Sequence, residues 1–165
     1  MRRIQVIDLD GCISDDRHRR GAIDPVLAAD RTPERAKDRT AMYDAYHRNC
    51  FLDPAVNLHE VREEHVVILT GRPLKFWDAT NLWLREVAYI QPLFMIMRNN
   101  HDHRPSVILK RQMLQGLLDH NSYGIEREEL VSAIDDRDDI VVMYRAEFGL
   151  EARIVRIGDE ENVHG

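Results

Sequence analysis

Four carboxylates, a hydroxyl and a guanidinium fall where short apolar runs stop: Asp8 and Asp10 in Asp8-Leu9-Asp10-Gly11, Thr70 and Arg72 in Thr70-Gly71-Arg72, and the pair Asp135-Asp136. Acids that meet in one cleft repel one another and need a cation among them, and a site of oxygen ligands alone favours magnesium. Each group by itself is a weak signal, because Asp-x-Asp-Gly is as often an ordinary turn and Asp-Asp an ordinary helix cap. Their meaning depends on strands that end side by side.

The chain supplies such strands. Ile4 to Leu9 is an apolar run of strand length broken by Asp10 and Gly11. His65 to Leu69, Leu93 to Met97, Leu130 to Ile134 and Arg153 to Ile157 repeat the pattern, separated by helical patterns over Leu74 to Val87, Pro105 to Leu118 and Ile140 to Phe148, the last closing at Gly149. Continuous rather than alternating apolar strands with helices between them predict an α/β fold, a mainly parallel sheet covered on both faces. In such sheets ligands bind at the carboxyl ends of the strands, where these residues collect.

The stretch from Asp15 to about Glu60 breaks the rhythm, being polar, basic and helix-prone from Pro33 to Arg48. It is expected to be a small helical cap over residues 15–60, inserted after the first strand of a core made of 1–14 and 61–158, with 159–165 a frayed tail. Asp53-Pro54 reads as an N-cap and N1 pair opening a helix towards the second strand.

Composition bounds the partners. The 165 residues are 44% hydrophobic and 32% charged with a net charge of −6, which excludes disordered and collagen-like classes and argues against a broad basic surface for duplex DNA. Arg17 to Arg48, however, holds eight Arg or Lys against five acids, a local +3 that leaves the remainder at −9. A basic segment beside an acidic motif suits a small or terminal phosphate better than a long groove. No apolar window is long enough to span a bilayer and Met1-Arg2-Arg3 opens no signal peptide, so a cytoplasmic protein is expected. Cys12 and Cys50 form no zinc spacing and read as reduced apolar residues.

The order Asp-x-Asp-Gly, Thr-Gly-Arg, a helical Lys and Asp-Asp resembles the haloacid dehalogenase (HAD) superfamily of phosphotransferases over residues 4 to about 158. The local wording is closest to the 3′-phosphatase domain of phage-type polynucleotide kinases and its free-standing relatives: Ile68-Leu69-Thr70-Gly71-Arg72-Pro73, then Met97-Arg98, Asp102-His103-Arg104 and Lys110, then Ala133-Ile134-Asp135-Asp136-Arg137 and Val141-Val142-Met143-Tyr144-Arg145. The resemblance implies a HAD-like, Rossmannoid three-layer fold. It makes Asp8 the nucleophile that forms an aspartyl-phosphate, Asp10 the acid and base, Thr70 with the Gly71 amide a holder of phosphoryl oxygens, and Lys110 the charge neutraliser. Mg2+ would sit among Asp8, Asp135, Asp136 and a main-chain carbonyl, that of Leu9 or Asp10. Arg72, with Arg19 or Arg20, would contact the substrate phosphate or its neighbourhood. Two positions depart from the pattern: Cys12 replaces the usual threonine, and Ser106 stands where the group often has an acid four residues before the lysine. No GxxxxGK[ST] occurs in the chain, so no kinase site is expected in it.

Other features have plainer readings. His101-Asp102-His103 is expected to position Arg104 rather than bind metal, Asp138 and Asp139 to cap the following helix, and Trp77 and Trp83 to pack in the core. Tyr43, Tyr46 and His47 share a helical face and either stack on a base or dock the insertion, with docking slightly preferred. The leading function is a magnesium-dependent phosphomonoesterase for nucleotide phosphate, foremost a 3′-phosphorylated nucleic-acid end, with a 5′(3′)-mononucleotidase as the alternative. A phospho-accepting receiver fits less well because its paired acids end the first strand, and a non-catalytic phosphate-binding module has nothing in its favour.

Overall fold

The computed structural model describes residues 1–120 and 123–158; the expected tail at 159–165 lies outside them. Five strands, β1 (Ile4–Ile7), β2 (His65–Pro73), β3 (Phe94–Arg98), β4 (Leu130–Asp135) and β5 (Glu151–Ile154), form one sheet in the order β3-β2-β1-β4-β5. Every pairing is parallel. β1 therefore lies at the centre, and its carboxyl end is flanked by those of β2 and β4.

Side chains of successive strand residues feed opposite faces. Ile4, Val6, Val67 and Leu69 pack with Leu114, Leu117, Ile140 and Tyr144 of helices α4 (Ser106–Asp119) and α5 (Asp138–Phe148). Ile7, Val66 and Ile68 pack on the other face with Leu9, Cys12, Ile13 and with Trp83 of α3 (Trp77–Trp83). This double burial is why the strands read as unbroken apolar runs. Gln5, fully buried on β1, is accommodated because its amide donates to the Glu60 carbonyl at 2.9 Å and accepts from the Arg62 amide at 2.8 Å.

Several expected elements are corrected. Leu74 to Val87 is not one regular helix: a 3-10 turn Leu74–Phe76 leads into α3, which widens into a π turn Leu84–Ala88 and stops at Tyr89 in the left-handed region (φ 55°). β5 begins at Glu151, two residues before the expected Arg153, because Gly149 (φ 64°) closes α5 and turns the chain straight into the sheet. Asp53-Pro54 opens no helix. Asp53 ends a 3-10 turn Cys50–Leu52, and its carboxylate is occupied elsewhere in the fold.

Between β1 and β2 lie α1 (Pro25–Ala29) and α2 (Ala36–His47), with 3-10 turns at Arg17–Ala22 and Pro33–Arg35. Asp24 caps α1 through its side chain, accepting from the Val26 amide at 2.9 Å. The segment returns along the body: the Asp15 amide donates to the Pro54 carbonyl and the Val56 amide to that of Ile13, each at 2.9 Å. Among the described residues no helix is long and apolar enough to cross a membrane.

Candidate active site

β1 ends in a tight loop. The Leu9 carbonyl accepts the amides of Cys12, Ile13 and Ser14 at 3.0–3.1 Å, so it is turned into the loop. That fold requires Gly11 in a left-handed conformation (φ 78°), and a Cβ there would lie 2.6 Å from Asp136 Oδ2. Gly11→Ala should therefore cost about 1–2 kcal/mol from the backbone alone and displace Asp136 as well. The expected result is a lower melting temperature together with loss of phosphatase activity; an alanine variant as active as the parent would mean that Asp136 is dispensable where it stands.

Asp8 follows on β1, its amide donating to the Ile134 carbonyl of β4 at 3.1 Å. Lys110, from the first turns of α4, reaches down between two strand ends and bonds Asp8 Oδ1 at 2.7 Å and Asp135 Oδ2 at 2.6 Å. Oxygens of Asp8, Asp135 and Asp136 lie within 4.8 Å of one another. One lysine does not balance three carboxylates. Burial, then Asp135, raises the pKa of Asp8 against the opposing pull of Lys110, and burial with Asp135 raises that of Asp136. An excess of oxygen charge in a half-enclosed pocket is the donor set a hard divalent cation fits.

Asp10 faces a different environment. The strand β2 loops out two residues, Gly71 and Arg72, between Thr70 opposite Met97 and Pro73 opposite Arg98. This bulge turns the Arg72 side chain inward, where it is 0% exposed. Its Nε and Nη2 donate to Asp10 Oδ1 at 3.0 and 2.7 Å, and Nη2 also reaches Ser14 Oγ at 2.9 Å. Arg19 donates to the same Asp10 oxygen at 2.5 Å and to Asp53 through Nε at 2.8 Å and Nη2 at 2.6 Å. Asp53 further accepts from Ser14 Oγ at 2.5 Å and lies 2.7 Å from His18 Nε2, while its carbonyl accepts from Trp83 Nε1 at 2.7 Å. Burial alone would raise the Asp10 carboxyl; Arg72, Arg19 and His47 outweigh it and hold it well below the usual carboxylate range.

These groups border a cleft of about 680 Å³ lined by Asp8, Asp10, Thr70, Lys110 and Asp136 on the sheet side and by Tyr43, Tyr46 and His47 of α2 opposite. A sequence model of the polynucleotide kinase PNKP phosphatase domain matches residues 2–159. The chain belongs to this family. It is a HAD-type phosphatase of the polynucleotide kinase kind, and its central parallel sheet is the HAD-like one. Among solved structures it is similar to a chain of the Pnkp1/Rnl/Hen1 RNA repair complex (TM-score 0.61, 22% identity, covering 96% of this chain and 44% of that one). A second structure of the Pnkp1/Rnl/Hen1 complex is as similar (TM-score 0.61, 20% identity, 96% and 47%). At that identity the likeness speaks for the fold, and this phosphatase spans less than half the length of either chain. No curated protein sequence matches it.

The structure brings Asp8, Asp10, Thr70, Gly71, Lys110, Asp136 and Arg20 to the cleft of this phosphatase, with Asp135 behind Lys110. Arg19 and Arg72 do not line it; both are spent on Asp10 and Asp53. Arg20, half-exposed, pairs with Asp16 at 2.8 Å. Asp102 binds Arg104, whose Nη2 lies 2.6 Å from Asp102 Oδ2, and His103 Nε2 lies 3.1 Å from Thr40 Oγ1 of α2. Trp83 is in the core, but Trp77 is 40% exposed, contrary to expectation. Asp138 and Asp139 occupy the first turn of α5 rather than its cap position.

Tyr46 donates to Asp16 and carries Arg19 over its ring at 4.4 Å, both partners within the insertion itself; the ring contact to the body is made by His47, 5.6 Å from Phe76 between ring centres, and Tyr43, Tyr46 and His47 all border the cleft. His47 is 6% exposed, and among the described residues its Nδ1 is the one buried side-chain nitrogen or oxygen without a hydrogen-bond partner, 3.7 Å from Asp10 Oδ2. Burial pushes its pKa down to about 4; Asp10 opposes this, and Arg72, Arg19 and Arg98 reinforce it. Between pH 6.5 and about 4 the unfolded ring takes a proton that the native one refuses, so stability falls on acidification through that window. His47→Gln should remove that dependence. Urea midpoints of parent and variant at pH 7 and pH 5 test it, and parallel profiles would contradict it.

Proposed function

We propose that this phosphatase removes the 3′-phosphate from a nucleic-acid end through a phosphoryl group carried on Asp8. The observation that carries the reading is Lys110 bridging Asp8 and Asp135 beside Asp136 at adjoining strand ends, with Asp10 two residues from Asp8. Asp8 Oδ attacks phosphorus, the P–O3′ bond breaks, and O3′ takes a proton from Asp10. Asp10 then removes a proton from water as its oxygen attacks phosphorus, the acyl-phosphate P–O bond breaks, and inorganic phosphate leaves with Asp8 restored. Arg19 and Arg72 hold Asp10 as the carboxylate, which suits the second step, and the charge of an arriving phosphate raises its proton affinity for the first. We assign those two arginines to positioning Asp10, and Thr70, the Gly71 amide and Arg20 to the phosphate.

Asp8, Asp135 and Asp136, with the Asp10 carbonyl left as the main-chain candidate, would hold Mg2+. When bound, the ion screens the anionic substrate from the anionic nucleophile. Helices α1 and α2 act as the cap: Arg31 Nη1 donates to the His103 carbonyl at 2.9 Å and Lys75 pairs with Asp44 of α2 at 2.7 Å, joining cap to body at two points. That closure favours the second reading, a mononucleotidase, since about 680 Å³ is the size of a site for one small ligand.

The deciding experiment is phosphate release in magnesium from a 3′-phosphorylated oligonucleotide against 3′- and 5′-mononucleotides, with Asp8→Asn as the blank. Preference for the oligonucleotide supports end healing; preference for one mononucleotide supports the pool enzyme. For a polynucleotide, KM should also rise steeply with salt.

A further inference from the structure

The cations of the cleft fall into two groups. Lys110, Arg20, Arg104 and Arg137 each face a carboxylate, those of Asp8 and Asp135, Asp16, Asp102 and Asp139 respectively. Arg31, Arg39 and Arg98 also line the cleft, yet none forms an ion pair with a carboxylate among the described residues. Arg31 donates to the His103 carbonyl at 2.9 Å. Arg39, buried, donates to the Thr32 carbonyl at 2.9 Å and to that of Asp30, whose own carboxylate is turned to the Thr32 hydroxyl. Arg98 donates to the carbonyls of Gly71, Asp102 and Arg104 at 3.1, 3.0 and 2.8 Å and to Ser106 Oγ at 3.3 Å.

Carbonyl oxygens satisfy hydrogen bonds but leave the charge uncancelled. The charges also lie close together. Arg98 and Arg31, one from the core and one from the cap, grip three consecutive carbonyls, those of Asp102, His103 and Arg104. Burial lowers the Arg98 pKa; Asp102 opposes, and Arg31 and Arg104 lower it further. At position 106, where an acid would have met this guanidinium, the chain has a neutral serine at the start of α4. The patch begins at Gly71, where a Cβ would stand 3.6 Å from Arg98 Nη2, and Arg39 of α2 in the cap borders the same cleft.

We propose that Arg98, Arg31 and Arg39 form a second phosphate subsite, which takes the phosphate on the 5′ side of the nucleotide whose 3′-phosphate is removed. The proposal rests on the 3′-phosphatase reading and narrows its substrate to one with two phosphates a nucleotide apart. A phosphodiester in a strand and the 5′-phosphate of a nucleoside 3′,5′-bisphosphate present the same chemistry.

The test compares deoxycytidine 3′-phosphate, deoxycytidine 3′,5′-bisphosphate and a dinucleotide 3′-phosphate in magnesium. The bisphosphate and the dinucleotide should exceed the monophosphate at least about tenfold in kcat/KM, mainly through KM, as two or more charge-assisted bonds allow. A dinucleotide advantage without a bisphosphate advantage would place the benefit in the second base and overturn the subsite. Arg31→Ala and Arg39→Gln should each narrow the bisphosphate-to-monophosphate ratio about threefold or more. The ratio cancels losses common to both substrates, and an unchanged ratio in both variants overturns the assignment. Calorimetric affinities of the two mononucleotides for Asp8→Asn protein repeat the comparison without turnover, and equal affinities refute it there. Turnover only of 5′-mononucleotides would defeat the 3′ reading on its own; the subsite would then be judged by whether the bisphosphate binds Asp8→Asn protein more tightly than the 5′-monophosphate.

Discussion

Asp8→Asn is expected to lower turnover on every phosphate substrate by roughly 10⁴-fold or more, the scale on which enzymes lose activity with their nucleophile. The fold should survive. The amide is isosteric, Lys110 keeps Asp135 at 2.6 Å, and one of three crowded carboxylates loses its charge. Because burial and Asp135 already oppose ionisation of Asp8, the melting temperature in chelator should be equal to or above that of the parent. Magnesium should then stabilise the variant less than the parent, since one anionic ligand has gone. Phosphate release and thermal melts with and without magnesium read both effects. Residual activity at a few per cent of the parent would remove the covalent role from Asp8, and a variant that fails to fold would place Asp8 in the scaffold instead.

The parallel sheet and the convergence of acids at its carboxyl edge were open to sequence reading for one physical reason. A parallel sheet buried on both faces writes itself as continuous apolar runs, and a polar residue that ends such a run, as Asp8 and Asp135 do, has few places to go except the carboxyl edge. Boundaries set by a single φ angle were less open: Gly149 and Tyr89 both take left-handed values, but only the glycine advertises it. Asp53 shows the deeper limit. An aspartate before proline has the same local sequence whether it caps a helix or accepts from Ser14 and Arg19, groups more than thirty residues away.

The arginines make the same point within the site. Arg19 and Arg20 are neighbours of identical type, yet the 3-10 turn at Arg17–Ala22 sends one inward to Asp10 and Asp53 and the other to Asp16 on the cleft wall. Arg72 belongs to a recognisable Thr-Gly-Arg, but the bulge that withdraws it from the cleft depends on the register with β3. Cys12, the departure from the family wording, is fully buried in the apolar cluster with Ile7 and Ile13, while its amide donates to the Leu9 carbonyl and its carbonyl accepts from Asn57 Nδ2. The serine at 106 gains meaning only when Arg98 is seen to lack a carboxylate.

Arg72→Ala should be the most destabilising of the substitutions considered. The guanidinium is fully buried, bridges Asp10, Ser14, Asp53 and Thr80, and lies 5.8 Å from the Trp83 ring centre. Its loss leaves Asp10 and Asp53 to share Arg19, and breaking a buried pair on one side costs about 3–5 kcal/mol. For a chain of this size that is a fall of roughly 10 °C in melting temperature. Lysine should recover only part of the loss, since one ammonium cannot reproduce a fork that meets four groups. The acid limb gives an independent signature. Asp10 is held below its ordinary pKa, so its contribution is present above about pH 4 and disappears as pH falls through the native value. The stability gap between parent and Arg72→Ala should therefore close at strongly acid pH, measured by urea midpoints. Activity should fall alike for an oligonucleotide and a small aryl phosphate, because what is lost is the orientation of Asp10. A selective rise in KM for the oligonucleotide, at unchanged stability, would instead return Arg72 to the substrate.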